Sequence, residues 1–330
     1  MRVLLVTSWD TSCGIAEHSR LLKEYVERAD PGIEIIPSAE ALDPDWALTM
    51  SRADWGLIHL NHHDALHSRW TPAHVQAIEE AGTPVVVTFH DTTAGVSDQP
   101  SSAKLKAFTQ VASSTIVHEP VGDIKAIYWR QGVPDAPRYQ RPLEWEKPPC
   151  LYPQQPILGT VGFNFPWKNY DRLCQLTQEV GWGLILLANN ATPADVDRWQ
   201  GLNPACLAVP GFLSTNEVLG YLSACDATVF AYECANTGTS GAIRLGIAAR
   251  KPVLAFQHCR QFRDLLLDPL GRLSITWVDD WGGLARVLSQ NLASSRYDPS
   301  IVHLAIQDSW QTLGQNYAKL YRVLAEGAPL

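Results

Sequence analysis

Short apolar runs alternate with stretches of helical spacing along most of the chain. In the first third, the apolar runs predict strands, and the stretches at 15–28 and 72–81 carry apolar positions three or four residues apart. Continuous apolar strands fit a parallel sheet that helices cover on both faces. The pattern therefore predicts an α/β domain. Its strands are expected at residues 2–8, 33–37, 55–60, 84–89 and 114–117.

The alternation stops between residues 134 and 156 and then resumes. Seven prolines in this interval indicate an extended, semi-rigid connection. We therefore predict an N-terminal domain over residues 1–133, a proline-rich linker over 134–156 and a C-terminal domain over 157–303. Strands of the C-terminal domain are expected at residues 157–161, 184–188, 206–209, 228–232, 252–256 and 276–278.

The end of the chain predicts a further helix. From residue 304 onward, apolar and aromatic residues recur at helical spacing, among them Trp310, Tyr317 and Tyr321. With this helix, the pattern predicts two Rossmann-like domains and a cleft between them.

Composition places the chain among folded, soluble proteins. Of its 330 residues, 46% are hydrophobic and 18% are charged, which is far from the composition of disordered chains. No apolar stretch approaches the roughly 20 residues that span a bilayer, and the first residues lack the apolar core of a secretion signal. Seven cysteines without a C-x-x-C pair are typical of reduced thiols, so we expect a cytoplasmic protein without a transmembrane segment.

The net charge of −8 lies mostly in the N-terminal half of the chain. Residues 1–150 hold 13 Lys and Arg against 20 Asp and Glu, whereas residues 151–330 hold 13 against 14. Binding of duplex DNA normally needs a basic stripe, and the sequence shows none. The charge therefore disfavours nucleic acid as a partner.

Residues 228–256 carry the strongest candidate for a binding site. An apolar strand, a polar loop, an Ala- and Leu-rich helix and a second strand follow one another there, as in a βαβ unit. Such units bind ligands at the carboxyl ends of their strands, and the N–H groups at the helix start form an anion site. Glu233 lies at the strand end, where its carboxylate can bind hydroxyl groups. The two features predict a ligand with a phosphate end and a sugar end.

Polar side chains also follow three predicted strands of the N-terminal domain. Because strand ends of a parallel sheet converge at one edge, we expect His90 to contact a substrate there. The spacing of the polar side chains at the three strand ends matches no common zinc pattern and no cysteine joins them, which disfavours a metal site. The residues are His62, His63, Asp64, His90, Asp91, His118 and Glu119.

Three further loops have a glycine at a strand end or a helix start. Gly14 opens the first helix, Gly162 stands six residues before Lys168, and Gly211 precedes Phe212. None forms the G-x-G-x-x-G pattern of a dinucleotide site, although a glycine lets a ligand approach the backbone. Lys168, just before a helix, fits a counter-charge for a diphosphate or is simply solvated. Phe212 fits a stacking surface for a base or packs internally.

Taken in order, these motifs resemble the GT-B nucleotide-sugar glycosyltransferases, specifically the retaining family 4 group. The segments are CGIAEHS at 13–19, VVVTFHD at 85–91, G-x(5)-K at 162–168, and residues 209–233 and 241–256. The resemblance runs along almost the whole chain. It implies the GT-B fold, in which two Rossmann-like α/β domains face each other across a cleft. It also implies a C-terminal helix, within residues 304–330, that crosses back to the N-terminal domain.

The resemblance implies a glycosyltransferase of hexosyl or related type. It would move a sugar from a nucleotide-diphosphate sugar to an acceptor hydroxyl, with retention of configuration and with no metal or other cofactor. The nucleotide sugar would be a co-substrate, and the acceptor a sugar, a lipid-linked sugar or a small molecule. Glu233, His90 and Lys168 would be catalytic, with Glu233 and His90 on the donor sugar.

The resemblance also implies which residues bind the other parts of the substrates. Residues on the donor diphosphate would be Gly14, Lys168, Thr239, Ser240 and Gly241. Residues on the nucleobase would be Gly211 and Phe212. Residues on the acceptor side would be His62, His63, Asp91 and His118.

Two positions depart from the family pattern. The family carries a second Glu, eight residues after the first, that contacts the donor ribose, and here that position is Gly241. An Arg often follows the glycine six residues before the Lys, and here it is Phe163. These departures leave open a non-catalytic nucleotide- or sugar-binding protein of GT-B fold. A second alternative is a GT-B epimerase or hydrolase, which would need added carboxylate acid/base pairs, and few candidate carboxylates are present beyond Glu17, Asp64 and Asp91.

Overall fold

The computed structural model describes residues 1–50, 55–64, 66–90, 100–122, 124–135, 155–233, 238–290 and 299–327. The chain forms two compact units. The first comprises Met1–Gly132, Thr237–Thr239 and Trp310–Leu330, and the second comprises Val133–Asn236 and Ser240–Ser309. Most of the predicted linker, residues 136–154, lies outside the described residues.

A six-stranded parallel sheet forms the centre of the first unit. Its order is β2-β1-β3-β4-β5-β6, so β2 is added on one side of β1, and β3 to β6 follow in sequence order on the other side. The predicted apolar runs form the first five strands, and their apolar side chains are almost wholly buried. The strands are β1 (Arg2–Val6), β2 (Glu34–Ser38), β3 (Leu57–His62), β4 (Val85–Phe89), β5 (Ser114–Val117) and β6 (Ile127–Tyr128).

Among the described residues of this unit, four helices and a short 3-10 turn at Glu40–Leu42 lie between the strands. Cys13 caps the first helix, since its Sγ accepts a hydrogen bond from the N–H of Ala16 at 3.3 Å. The helices α2 and α4 were not predicted, because each is short and carries little amphipathic pattern. The four helices are α1 (Gly14–Ala29), α2 (Pro44–Met50), α3 (Pro72–Glu80) and α4 (Pro100–Phe108).

The second unit has its own six-stranded parallel sheet, ordered β12-β11-β10-β7-β8-β9. All six of its strands coincide with predicted runs to within a few residues. They are β7 (Ile157–Phe163), β8 (Gly183–Asn189), β9 (Cys206–Pro210), β10 (Ala227–Phe230), β11 (Val253–Phe256) and β12 (Ile275–Val278).

Two helices of the second unit begin with a capping box. Thr192 and Ser214 each accept a hydrogen bond from the backbone N–H three residues on, and Asp195 and Glu217 return the bond. Short 3-10 turns occur at Pro166–Lys168 and Arg260–Phe262. The helices are α5 (Tyr170–Glu179), α6 (Pro193–Leu202), α7 (Thr215–Ser223), α8 (Gly241–Ala248), α9 (Arg263–Leu267), α10 (Pro269–Ser274), α11 (Trp281–Ser289) and α12 (Pro299–Gln307).

The chain end forms two helices where the sequence predicted one. The helix α12 belongs to the second unit, and α13 (Trp310–Ala325) belongs to the first. Between them, Ser309 forms a β-bridge with Val133, and the carbonyl of Asp308 accepts a hydrogen bond from Val133 N at 2.7 Å. This pairing needs extended backbone, so the helix is interrupted there.

The helix α13 packs along α1 in the first unit. Gly314 makes the close approach possible, because a Cβ there would lie 2.7 Å from backbone atoms of Tyr25. Arg322 forms an ion pair with Asp30 at 2.7 Å near the end of the interface. The predicted return of the chain-end helix to the N-terminal domain is therefore confirmed.

Buried hydrogen bonds also join α13 to the sheet. Nδ1 of His59 lies 2.6 Å from the hydroxyl of Tyr321, and Nε2 of the same ring lies 2.8 Å from Oγ1 of Thr88. The hydroxyl of Tyr317 is 3.0 Å from that Oγ1. We call these four residues, on β3, β4 and α13, the α13 network.

In the described part of the chain, no helix is both long enough and apolar enough to cross a bilayer.

Candidate functional site

In the second unit, the loop after β7 folds back to hold a buried lysine. Lys168 is 7% exposed, and its Nζ lies 3.4 Å from the ring centre of Tyr232, a cation–π contact. Gly162 leaves room for this amine, because a Cβ at that position would be 2.8 Å from Nζ. Its φ of +149° also favours glycine. The predicted G-x(5)-K motif is therefore a tight cradle for the Lys168 side chain.

Glu233 lies directly beside this loop. Its backbone N–H donates to the carbonyl of Trp167 at 2.9 Å. Its carboxylate accepts one hydrogen bond from Nε1 of Trp281 at 2.8 Å and another from Nδ2 of Asn169 at 3.1 Å. The carboxylate is exposed, so it can bind a further group while its orientation is fixed. The structure thus brings together Lys168 and Glu233, which are far apart in the sequence.

The start of α8 was predicted to bind a diphosphate together with Lys168. Ser240 is the N-cap residue, and its side chain makes no capping bond. Gly241, the first residue of the helix, is exposed, whereas Ser240 is buried and its N–H donates to the carbonyl of Gln261 at 3.1 Å. Thr239 is grouped with the first unit, where its hydroxyl donates to Oε1 of Gln131 at 3.1 Å. The roles predicted for these residues stay predictions.

An aromatic row lies at the carboxyl ends of β7 and β9. Phe165 stacks on Phe163 with ring centres 5.7 Å apart and on Trp167 at 4.5 Å. Phe212 lies 6.5 Å from Phe163 and is 42% exposed. Gly211, with φ of +98°, has no atom within 4 Å of a Cβ position. The row offers stacking surface for a flat ligand beside the position predicted for a nucleobase.

In the first unit, Gly14 and three histidines lie at the carboxyl ends of the strands. A Cβ added to Gly14 would meet no atom within 4 Å. The rings of His90 and His118 are 5.0 Å apart, and His18 of α1 lies 4.5 Å from His90 and 5.4 Å from His118. The expected convergence of strand ends is therefore observed for His90 and His118.

Asn61 on β3 bonds to two of these rings. Its Oδ1 forms a short hydrogen bond with Nε2 of His90, and its Nδ2 lies 3.3 Å from Nδ1 of His18. Nδ1 of His118 lies 2.9 Å from the carbonyl of Trp129. Burial, and next the charges of neighbouring histidines, hold the pKa of His18 and of His90 well below its usual value. Both rings are therefore neutral.

His18, His90 and His118 also lie close enough together to be compared with a metal site. Their candidate nitrogen atoms lie within 4.8 Å of one another. Two nitrogens bound to one zinc ion at about 2.1 Å lie at most about 4.2 Å apart, and about 3.4 Å apart in a tetrahedron. Nδ1 of His18 is engaged by Asn61, whereas Nε2 of His18 is buried and has no hydrogen-bond partner among the described residues. The expected absence of a metal stays a prediction.

The other residues predicted on the acceptor side do not join the cluster of His18, His90 and His118. His62 points to the face opposite Asn61, where its fully buried ring packs on Phe89 with ring centres 4.4 Å apart. Burial lowers the pKa of His62 to about 2, so this ring is neutral. His63 is half-buried beside it, and its neighbour Asp64 pairs with a lysine side chain. Asp91 lies outside the described residues.

Four residues of these sites were not predicted from the sequence. They are His18, Asn61, Asn169 and Trp281. Asn61 directly precedes the strand-end histidines, and Asn169 directly follows Lys168, so proximity to predicted residues was the available signal. Trp281 had none, since 48 residues separate it from Glu233.

Several solved structures with the same fold are glycosyltransferases. A glycosyltransferase from Rickettsia africae ESF-5 matches with a TM-score of 0.69 at 12% identity, over 97% of this chain and 97% of that chain. A glycosyltransferase involved in avilamycin A biosynthesis gives 0.61 at 16% identity, over 99% and 98%. An alpha-glucosyltransferase in complex with UDP and a 13-mer DNA gives 0.58 at 14% identity, over 95% and 94%. No protein-family model and no curated protein matches the sequence.

The chain has the GT-B fold. Two parallel six-stranded sheets with flanking helices confirm the predicted α/β class with two Rossmann-like units. At identities of 12% and 16% the likeness establishes the fold.

Proposed function

We propose that the protein is a glycosyltransferase of hexosyl or related type that uses a nucleotide-diphosphate sugar. The observation that carries the proposal is that hydrogen bonds to Trp167 and Asn169 hold Glu233 against the loop of Lys168 in the second unit. A carboxylate held by two N–H donors suits sugar hydroxyls, and a buried cation beside it suits a phosphate. The chain combines this pair with a fold shared by glycosyltransferases.

The proposed chemistry is electrostatic. When the bond between the sugar and the diphosphate breaks, negative charge develops on the leaving oxygen. Lys168 and the N–H groups at the start of α8 would stabilise that charge without a metal ion. Glu233 would hold sugar hydroxyls and thereby orient the donor.

The acceptor step follows the family resemblance. The acceptor hydroxyl oxygen bonds to the anomeric carbon on the face that the diphosphate leaves, and its proton passes to the departing phosphate oxygen. This path retains configuration and needs no protein nucleophile. His90 would contact the donor sugar, and Gly14 would leave room for the donor diphosphate. The aromatic row with Phe212 would stack on the base.

Nucleotide binding gives the first test. Thermal unfolding would be measured with a panel of nucleoside diphosphates and sugar nucleotides. A ligand at 100 times its dissociation constant stabilises the folded protein by about 2.7 kcal/mol. No stabilisation by any member of the panel would contradict the proposal.

Turnover gives the second test. With the donor that binds, we expect Lys168→Ala and Glu233→Ala each to lower hydrolysis and transfer by about 100-fold. Lys319→Ala and Glu179→Ala, at exposed positions, are the matched controls. Donor binding without turnover over a broad acceptor panel would instead support the non-catalytic binding protein.

A further inference from the structure

Asn61 lies where the amide of one side chain can determine the protonation pattern of His90. It is fully buried on β3, and the register of the sheet places it beside β4, one residue before the end of each strand. We propose that Asn61 is a positioning residue that keeps the His90 proton on Nε2, so that Nδ1 accepts a hydrogen bond from a donor-sugar hydroxyl. The substrate part of this inference rests on the proposed function.

The hydrogen bonds around Ser19 fix which way the Asn61 amide points. The hydroxyl of Ser19 donates to the carbonyl of Ile15 at 2.8 Å, so its oxygen is left to accept. Nδ2 of Asn61 donates to that oxygen at 2.7 Å, and the hydroxyl of Thr7 lies 2.6 Å from it. A flipped amide would place Oδ1 of Asn61 against an oxygen whose only proton is already used. The amide oxygen must therefore face His90.

This orientation determines the tautomer of His90. An amide oxygen only accepts hydrogen bonds, so Nε2 of His90 must be the donor in its bond with Asn61. His90 is 9% exposed, and the rings of His18 and His118 lie 4.5 and 5.0 Å from it. A neutral imidazole has one N–H group, so Nδ1 carries a lone pair. Such a ring can accept a proton in a hydrogen bond from a hydroxyl but cannot donate one from Nδ1.

The same amide also sets the proton of His18. An amide N–H only donates, so Nδ1 of His18 accepts and its own proton lies on Nε2. The chain of bonds runs from Thr7 and Ser19 through Asn61 to the two histidines, and every member but His90 is fully or almost fully buried. Buried networks of this kind hold a side chain in a single orientation. The strand end therefore presents one defined hydrogen-bonding surface of His90.

Nitrogen NMR of the full-length protein tests the tautomer without any assay of activity. With histidine labelled by ¹⁵N, the two ring nitrogens give distinct shifts when one carries a proton, and His90→Gln identifies the His90 signals. We expect Nε2 of His90 to be protonated and Nδ1 to be free of a proton at pH 7. A proton on Nδ1, or a charged ring, would overturn the inference, whatever the protein does with nucleotide sugars.

A variant then tests the cause. Asn61→Leu removes both polar atoms at similar volume, and we expect His90 to become a mixture of tautomers. Ser19→Ala removes the group that orients the amide, and we expect it to give a smaller change of the same kind. This variant replaces Asn61→Leu in the test where Asn61→Leu folds poorly. Asn203→Leu, a buried asparagine of the second unit, is the control and should leave the His90 signals unchanged. Unchanged signals in both Asn61→Leu and Ser19→Ala would also contradict the inference.

Kinetics with the donor separate positioning from a general effect on the fold. We expect Asn61→Leu to lower kcat/KM by about tenfold. If Asn61 acts through His90, the double variant with His90→Ala loses no more than His90→Ala alone. Multiplied losses in the double variant would mean that Asn61 acts independently of His90. A tautomer as expected, together with no turnover by the wild type, would sink the proposed function and leave the assignment of Asn61 in place.

Discussion

Buried neutral histidines account for much of the polar chemistry of the first unit. Burial lowers the pKa of His59 to about 3, and the pKa of His67 to about 4, from an ordinary value of 6.5. In the unfolded chain these rings take up protons near pH 6.5, whereas in the folded chain they stay neutral. The folded state is therefore favoured above pH 6.5 and loses that advantage as the pH falls.

We expect the free energy of unfolding to decrease steadily between pH 6.5 and pH 4. One ring with a folded pKa of about 4 contributes a loss of about 3 kcal/mol over this interval. Urea unfolding at pH 7.5, 6.5, 5.5 and 4.5 measures the trend. His67→Gln should reduce the slope of the unfolding free energy against pH. Between pH 7 and pH 8 the buried histidines should contribute no pH dependence. Equal stability at pH 7.5 and pH 4.5 would contradict the account.

The indole N–H of Trp281 donates a hydrogen bond to the carboxylate of Glu233 and thereby orients it. We expect Trp281→Phe, which removes the N–H and keeps an aromatic ring, to weaken donor binding or turnover by about tenfold. Trp277→Phe is the matched control, since the indole N–H of Trp277 has no hydrogen-bond partner among the described residues. Steady-state kinetics with the donor found by thermal shift would show the difference. Equal losses in both variants would indicate a general effect of losing an indole.

Gly162 gives a further test of the lysine cradle. Gly162→Ala places a Cβ 2.8 Å from Nζ of Lys168 and forces alanine to a φ of +149°. Gly181→Ala also strains the backbone, at φ of +74°, but meets no atom within 4 Å. Both variants should lose about 1–3 kcal/mol of unfolding free energy from strain. Only Gly162→Ala should also weaken nucleoside diphosphate binding, which calorimetry would measure.

Sequence reasoning at this scale found residues that carry a recognisable motif and missed those that support them. Lys168 and Glu233 were predicted from a spacing and a strand end, and in the structure Glu233 bonds to both residues that flank Lys168. The bonds from Asn169 and Trp281 span 64 and 48 residues. Such contacts depend on how two loops meet, which no local pattern encodes.

At the scale of elements, the strands were predicted well because a strand buried on both faces is an uninterrupted apolar run. Six predicted runs became β7 to β12, and five became β1 to β5. The two-residue β6 and the short helices α9 and α10 were not predicted, since none of the three has enough residues for a periodic pattern. The break between α12 and α13 was missed because its cause, the bridge to Val133, is distant in sequence.

The α13 network supports the chain-end helix more than its apolar stripe alone would. Tyr321→Phe removes the partner of Nδ1 of His59 in a fully buried position, and we expect a loss of about 1–3 kcal/mol of unfolding free energy. Tyr317→Phe should cost less, because Thr88 keeps its bond to His59. Chemical unfolding of both variants at pH 7.5 would compare them. A larger loss for Tyr317→Phe would contradict this reading of the network.

At the scale of the whole molecule, the first unit is built from both ends of the chain. Large side chains of α13 fill its core, among them Trp310, Leu313, Tyr317 and Tyr321. A stop codon after Ser309 should therefore leave the first unit unable to fold, because several large buried groups are lost at once. Limited proteolysis should cut residues 1–132 rapidly in the truncated protein and slowly in the full chain. Equal resistance in the two proteins would show that α13 is dispensable.

The return of α13 also sets the order of events during synthesis. Residues 1–132 leave the ribosome first, yet their partner helix begins at Trp310. At about 5–20 residues per second, roughly ten to thirty seconds pass between the two. For that time the apolar face of α1 has no helix to cover it, while the whole second unit is made and can fold. The part of the protein that is translated first is thus completed last.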